Sequence, residues 1–320
     1  MKKVLFRSYG DATYGLGHII RSVALAKYLK TYYEVVIYFA ISPNDSESFL
    51  DFLKTAQISL VDFNQIRNNN FDHLIYDMPF YDQTFFELVR EIKFEKKIGL
   101  DYFFYNSDDV NVALNLYSHG KPETSKFEIK EGIHYAILRE NILNKSRTTT
   151  GGLPENILIT FGSADPSNNT CRVLDQLPDT NLKINVILGV LFKNEVDLEK
   201  SIKRFSKERL NVFRNVSNIE DYIMANNLVF CGGGTTLLES IHLCRPSIVI
   251  SQSLEEHNFA QALSQSGLCY VMSGEALNSA TMESLLKTDF CTSISHACQK
   301  VDLGLGNKLI AEELMGRRNG

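Results

Sequence analysis

Two consecutive α/β domains, each built on a parallel sheet, are what this sequence predicts, on three observations. Short apolar runs alternate with longer stretches of helical periodicity from one end of the chain to the other, the pattern of βαβ units. The 320 residues, 44% hydrophobic and 22% charged, have an ordinary globular composition and suffice for two domains. Near the midpoint a polar stretch rich in breaker residues, 141–155, interrupts the alternation as a linker would. The expected domains are therefore 1–145 and 155–320, with a cleft between them and ligands at the carboxyl ends of the strands.

The elements follow in order. Residues 4–6 (Val-Leu-Phe) form a buried strand, a glycine-bearing loop follows, and Ile19, Ile20, Val23, Leu25, Ala26 and Leu29 recur at helical spacing over 18–30. Strands are expected at 35–40, 73–77, 98–100, 112–116 and 135–138, with helices at 46–54 and 82–94. After the linker the alternation restarts. Strands at 156–161, 184–188, 211–213, 228–231, 247–251 and 269–272 are separated by helices ending near 177, and at 195–206, 219–225, 235–243 and 255–265.

Composition excludes several functions. Lys and Arg number 33 against 38 Asp and Glu, a net charge of −5, so no general basic surface invites nucleic acid. The longest apolar runs fall far short of the roughly 20 residues that cross a bilayer, so no integral membrane segment is expected. Only three apolar residues precede Arg7, too few for a signal-peptide core, and the expectation is a cytoplasmic protein. All six cysteines lie in the second half without a C-x-x-C pair, and read as small buried hydrophobes in a reducing compartment. No His/Cys spacing offers a metal site.

Four loops carry polar chemistry. The first, residues 10–18, opens the first helix, where backbone N–H groups favour a polar or anionic ligand. It is neither a dinucleotide fingerprint, since Ile20 stands where the third glycine belongs, nor a P-loop, since Leu16-Gly17 replaces Lys-Ser/Thr. His18 at the helix start, where the dipole favours neutral imidazole, reads as a base or as an ordinary surface histidine.

The second loop, Cys231-Gly232-Gly233-Gly234-Thr235-Thr236, sits between a buried strand and a helix. Three glycines leave bare N–H groups pointing outward as a phosphate cradle, whereas a simple turn capped by Thr235 needs only one glycine. Glu239, one turn on, reads as an acceptor for ribose hydroxyls or as an exposed helical acid. In the third loop, Gly162-Ser163-Ala164-Asp165, Ser163 donates to phosphate and Asp165 orients a sugar, or Asp165 and Ser167 only cap the next helix. The fourth, Glu255-Glu256-His257-Asn258, offers polar groups or is an acidic first helical turn.

Together these residues resemble a known family. Gly15-Leu16-Gly17-His18-Ile19-Ile20-Arg21, with Leu25-Ala26, resembles the G-x-G-H-x-x-R signature of the MurG-like GT-B superfamily, specifically the UDP-sugar hydrolases of pseudaminic acid biosynthesis and their spore-coat polysaccharide relatives. The resemblance is nearly full length. It takes in Phe6-Arg7, Leu100-Asp101-Tyr102, Tyr135-Ala136-Ile137-Leu138-Arg139-Glu140, Phe161 to Asp165, Gly232 to Glu239, Asn258 and Asp302-Leu303-Gly304-Leu305-Gly306-Asn307-Lys308.

The resemblance implies a GT-B fold of two Rossmann-like domains, with the second holding the nucleotide and the sugar facing the first. It implies His18 as the base that activates water at the anomeric carbon, releasing UDP and a 2,4-diacetamido-2,4,6-trideoxy sugar with no metal or cofactor. Substrate-binding residues would be Gly15, Gly17, Arg21 and Asp77, then Gly162, Ser163, Asp165, Gly233, Gly234, Thr235, Thr236, Glu239 and Asn258. The chain departs from the family on the sugar side: Arg7-Ser8-Tyr9 stands where Arg-x-Asp is usual, and Pro79 where a tyrosine is expected. Tyr9, Asp11 and Tyr81 are the candidate substitutes. Glycosyl transfer to a hydroxyl acceptor and non-catalytic nucleotide-sugar binding are the competing functions.

Overall fold

A computed structural model describes residues 1–118, 125–179 and 181–316; residues 119–124, 180 and 317–320 of the two expected domains lie outside the described residues. The chain divides into two compact units, Met1–Arg139 together with Leu303–Gly320, and Glu140–Asp302.

In chain order the first unit comprises β1 (Lys2–Ser8), α1 (Gly17–Tyr32), β2 (Val35–Ile41), α2 (Glu47–Thr55), β3 (Ser59–Asp62), α3 (Phe63–Ile66), β4 (His73–Asp77), α4 (Gln83–Val89), β5 (Lys96–Leu100), β6 (Val112–Asn115) and β7 (Glu128–Glu131). Its seven strands are ordered β3-β2-β1-β4-β5-β6-β7 and every pairing is parallel. Parallel strands are covered on both faces, which is why Val4, Leu5 and Phe6 are consecutively apolar and fully buried. The chain builds outward from β1 to β3, then crosses back to lay β4 on the other side of β1 with Ser8 opposite Asp77. That reversal opens a crevice at the carboxyl ends of β1 and β4.

The second unit comprises α5 (Glu140–Leu143), β8 (Asn156–Ile159), α6 (Asn169–Gln176), β9 (Lys183–Leu188), α7 (Glu195–Ile202), β10 (Leu210–Arg214), α8 (Ile219–Ala225), β11 (Leu228–Cys231), α9 (Thr235–His242), β12 (Ser247–Val249), α10 (Leu254–Gln265), β13 (Tyr270–Val271), α11 (Ser279–Leu286) and α12 (Cys291–Gln299). Its sheet, β10-β9-β8-β11-β12-β13, is also wholly parallel and reverses between β8 and β11. All six cysteines are free and buried.

Several expectations are corrected. The strand expected at 135–138 is a 3-10 turn at Ile133–Tyr135 and then an unladdered segment, because the polar strand β7 takes the neighbouring edge of the sheet. The helix expected over 82–94 is only α4, begun by Asp82, whose side chain accepts from the Phe85 N–H. Residues 144–155 are no free linker but a strap on the second unit. Arg147 donates to the carbonyls of His242, Cys298 and Val301, and Arg245 Nη1 to that of Thr148.

The expected second domain ran to the C-terminus, yet Leu303 onward joins the first unit through α13 (Gly306–Met315). Asn307 explains the return. Its amide accepts from the Leu138 N–H at 3.1 Å and donates to the Leu138 carbonyl at 3.0 Å, acting as a strand partner for a segment that has none. Gly306 lies so close that a Cβ there would overlap the Ala136 carbonyl oxygen. Glu313 further along α13 pairs with Lys96 and Lys130.

Two outcomes follow from this packing. Asn307→Ala leaves both Leu138 backbone groups unpaired in a buried place and should cost about 1–3 kcal/mol in denaturant unfolding. His242 is buried, neither ring nitrogen has a hydrogen-bond partner in the protein, and burial together with nearby Arg147 pushes its pKa down to about 4. The unfolded chain therefore binds the extra proton, so stability falls as pH drops from about 6.5 toward 4, by on the order of 2–3 kcal/mol. His242→Leu should flatten unfolding free energy across that window.

Candidate active site

In the first unit the site grows from the end of β1. Gly15 takes φ +71°, a left-handed turn open to glycine, and its carbonyl accepts from the Asp11 N–H at 3.2 Å to close the loop. Asp11 accepts from the Thr13 and Tyr14 N–H groups, both at 2.8 Å, and from the Tyr9 hydroxyl at 3.2 Å. The loop then enters α1 at Gly17 with no side-chain cap, which places His18 in the first helical turn.

His18, Arg21, Ser22 and Asp77 converge. Asp77 ends β4 with no exposed surface, and four donors surround its carboxylate: His18 Nδ1 at 2.7 Å and Arg21 Nη2 at 2.6 Å on Oδ1, with Arg21 Nε and Ser22 Oγ both at 2.9 Å on Oδ2. Burial alone would raise the Asp77 pKa, but the charge of Arg21 and the hydrogen bonds from His18 and Arg21 outweigh it and hold the carboxyl far below the usual carboxylate range. An ionised Asp77 can only accept, so in the neutral ring His18 Nδ1 carries the proton and Nε2 the lone pair. Arg21 Nη2 also lies 3.2 Å from Nδ1, a contact between two donors and not a second hydrogen bond.

Arg21 and Asp77, expected to bind substrate, are thus bound to each other. Sequence reasoning missed Ser22 and Asp101 at this site. Asp101, one residue past β5, accepts from Arg21 Nη1 at 2.6 Å; its sequence signals are an acid closing a buried strand and its place in the Leu100-Asp101-Tyr102 segment of the resemblance. Of the candidate substitutes, Tyr9 and Asp11 are paired with each other, and Tyr81 donates to Asp109 at 2.6 Å. Arg7 is locked between Asp45 and Asp82.

In the second unit the strand reversal brings together the loops after β8 and β11. Gly162 takes φ +78°. Asp165, 3% exposed, accepts from the Asn169 and Thr170 N–H groups at 2.8 Å each, so its carboxylate caps the first turn of α6. The Ser163 carbonyl accepts from the Leu191 N–H at 2.8 Å.

The glycine loop after β11 is only partly the outward cradle expected. Gly233 N–H donates to half-buried Glu256 at 3.1 Å, and the same carboxylate oxygen accepts from the Gln252 N–H at 2.9 Å. Burial pushes the Glu256 carboxyl up despite these two donors. Gly234 stands as the N-cap of α9 without a side-chain bond, which leaves Thr235 and Thr236 in an uncapped first turn. Glu239 is buried, not an exposed helical acid, and Asn258 is exposed on α10. Among the described residues no group of three or more His, Cys, Asp or Glu is placed to hold a metal ion, and no helix is long and apolar enough to cross a membrane.

The fold of the two units is GT-B. MurG of Acinetobacter baumannii superposes with a TM-score of 0.66 at 14% identity over 99% of this chain and 100% of that one. CalG4, the calicheamicin glycosyltransferase, gives 0.62 at 13% over the whole of both chains. Among sequences, the chain is 28% identical over 278 residues to the uncharacterized protein MJ1062 of Methanocaldococcus jannaschii, covering 78% of this chain but only 56% of that protein's length. It is 23% identical over 259 residues to UDP-2,4-diacetamido-2,4,6-trideoxy-beta-L-altropyranose hydrolase of Campylobacter jejuni, covering 75% of this chain and 88% of that enzyme. No protein-family model matches.

The glycine loop generates one prediction. A Cβ at Gly233 would come within 2.5 Å of the Glu256 backbone carbonyl, whereas at Gly234 it meets nothing nearer than 3.6 Å. Gly233→Ala should therefore destabilise the protein by about 1–3 kcal/mol, and Gly234→Ala should melt close to wild type.

Proposed function

We infer that the protein is a cytoplasmic nucleotide-sugar hydrolase that releases UDP from a UDP-linked acetamido-trideoxy sugar. The observation that carries this reading is the His18–Asp77 pair held at the start of α1. Asp77 fixes the proton on Nδ1, so Nε2 is free to take a proton from water as its oxygen attacks the anomeric carbon. The bond from that carbon to the diphosphate oxygen breaks, and UDP departs with the electron pair. As the ring becomes an imidazolium, the Asp77 carboxylate stabilises the new charge.

The uncapped amides of Gly234, Thr235 and Thr236 and the two threonine hydroxyls are the donors suited to the diphosphate. Gly15, Gly17, Gly162, Ser163, Glu239 and Asn258 complete the proposed substrate contacts. The similarity to the Campylobacter hydrolase supports water as the acceptor, while the glycosyltransferase neighbours support a second reading in which a hydroxyl takes its place. The same base serves either.

Nucleotide release from a panel of UDP-linked acetamido sugars, followed by NMR without acceptor, tests this. Wild type should yield UDP and free sugar, and His18→Ala should lose about a hundredfold or more in rate with substrate affinity within about twofold. Equal rates would remove His18 as the base, and binding without release would favour transfer.

A further inference from the structure

We propose that Arg21 and Asp101 are positioning residues for the His18 imidazole, a role that rests on the reading of His18 as the base. Asp77 is the group that touches the ring, and a carboxylate free to turn about its terminal torsion would offer its oxygens at a range of angles. Here it cannot turn. Arg21 grips both oxygens through Nε and Nη2 at 2.9 and 2.6 Å, a fork that fits a carboxylate, while Ser22 holds Oδ2.

The guanidinium is fixed in turn. Its remaining nitrogen, Nη1, donates to Asp101 Oδ2 at 2.6 Å, and Asp101 is anchored on β6 and the residue after it. The Asp101 N–H donates to the Leu114 carbonyl at 3.0 Å, and Oδ1 accepts from the Leu116 N–H at 2.9 Å. Its backbone lies at φ +47°, a left-handed conformation that Asp and Asn tolerate better than other side chains. Orientation thus passes from β6 through Asp101, Arg21 and Asp77 to the ring on α1.

Charge points the same way. Two carboxylates and one guanidinium leave one net negative charge against His18; without Asp101, Arg21 would cancel Asp77. Several other charges on elements packed around α1 are paired elsewhere, and Lys2 and Lys3 lie at the opposite, amino end of β1. On β1, Arg7 is bound to Asp45 and Asp82, and His73 at the far end of β4 faces Glu95. In the loop before α1, Asp11 accepts from Tyr9, Thr13 and Tyr14, and β2 carries no charged residue. On α13, Glu313 pairs with Lys96 and Lys130, and Lys308 with Glu312.

The test reads the ring directly. Nitrogen NMR of the full-length, histidine-labelled protein at about pH 9, where imidazole is neutral, with His18→Gln for assignment, reports which nitrogen carries the proton. Wild type should show His18 protonated at Nδ1 alone. Asp101→Asn keeps the left-handed backbone and an acceptor for Leu116 but turns an N–H toward Arg21; Arg21→Lys keeps the charge without the fork. Both should give mixed tautomers, and kcat should fall by about tenfold or more with KM within about twofold. Ring signals identical to wild type in both folded variants would overturn the proposal. Altered tautomers in a protein whose wild type turns over no nucleotide sugar would support the positioning role and overturn the hydrolase reading.

Discussion

Burying the Asp77 carboxylate is the constraint on which the rest of the first unit's site depends. A charge taken wholly out of water is tolerated only where opposite charge and hydrogen-bond donors meet every lone pair. Arg21, Ser22 and His18, three side chains on two successive turns of α1, supply them. The helix cannot rotate or slide against β4 without stranding the anion, so the demand that sets the register of α1 on the sheet also sets the direction of the imidazole. Fold stability and chemistry are one network here.

Sheet topology determines which loops meet. In each unit the chain lays strands to one side and then reverses, and the reversal parts two neighbouring connections at the carboxyl ends of β1 and β4, and of β8 and β11. Both places receive glycine-bearing loops. In the second unit half-buried Glu256 bonds the Gly233 N–H and leaves the amides at the start of α9 uncapped. Its carboxylate ties α10 to the loop while putting negative charge beside the position proposed for a diphosphate. The likeness to MurG and CalG4 concerns this architecture, and the chemistry rests on His18 and its neighbours.

The alternation of apolar runs and helical periods made the two parallel-sheet units legible, because strands covered on both faces must be continuously apolar. Where that reason lapses, so did the reading. β3 and β7 are edge strands whose four-residue runs begin and end on polar residues and hold only two and one apolar residues, too few for a strand signal. The elements beyond β13 are short helices of mixed polarity, and the return of α13 to the first unit depends on Asn307 serving as a substitute strand edge, which no periodicity encodes.

At the site, the sequence by itself determined that His18 opens the first helix after a glycine turn, that Asp77 ends a buried strand, and that a glycine run follows β11, since all three are local properties of residue type and spacing. Only the tertiary structure decided their partners: that Asp77 faces His18 and Arg21, that Asp101 completes the group, that Asp165 is a helix cap, and that Glu256 meets the glycine loop. Those pairings join residues as far as 80 positions apart, and which carboxylate meets which cation is set by the packing of α1 and α10 on their sheets.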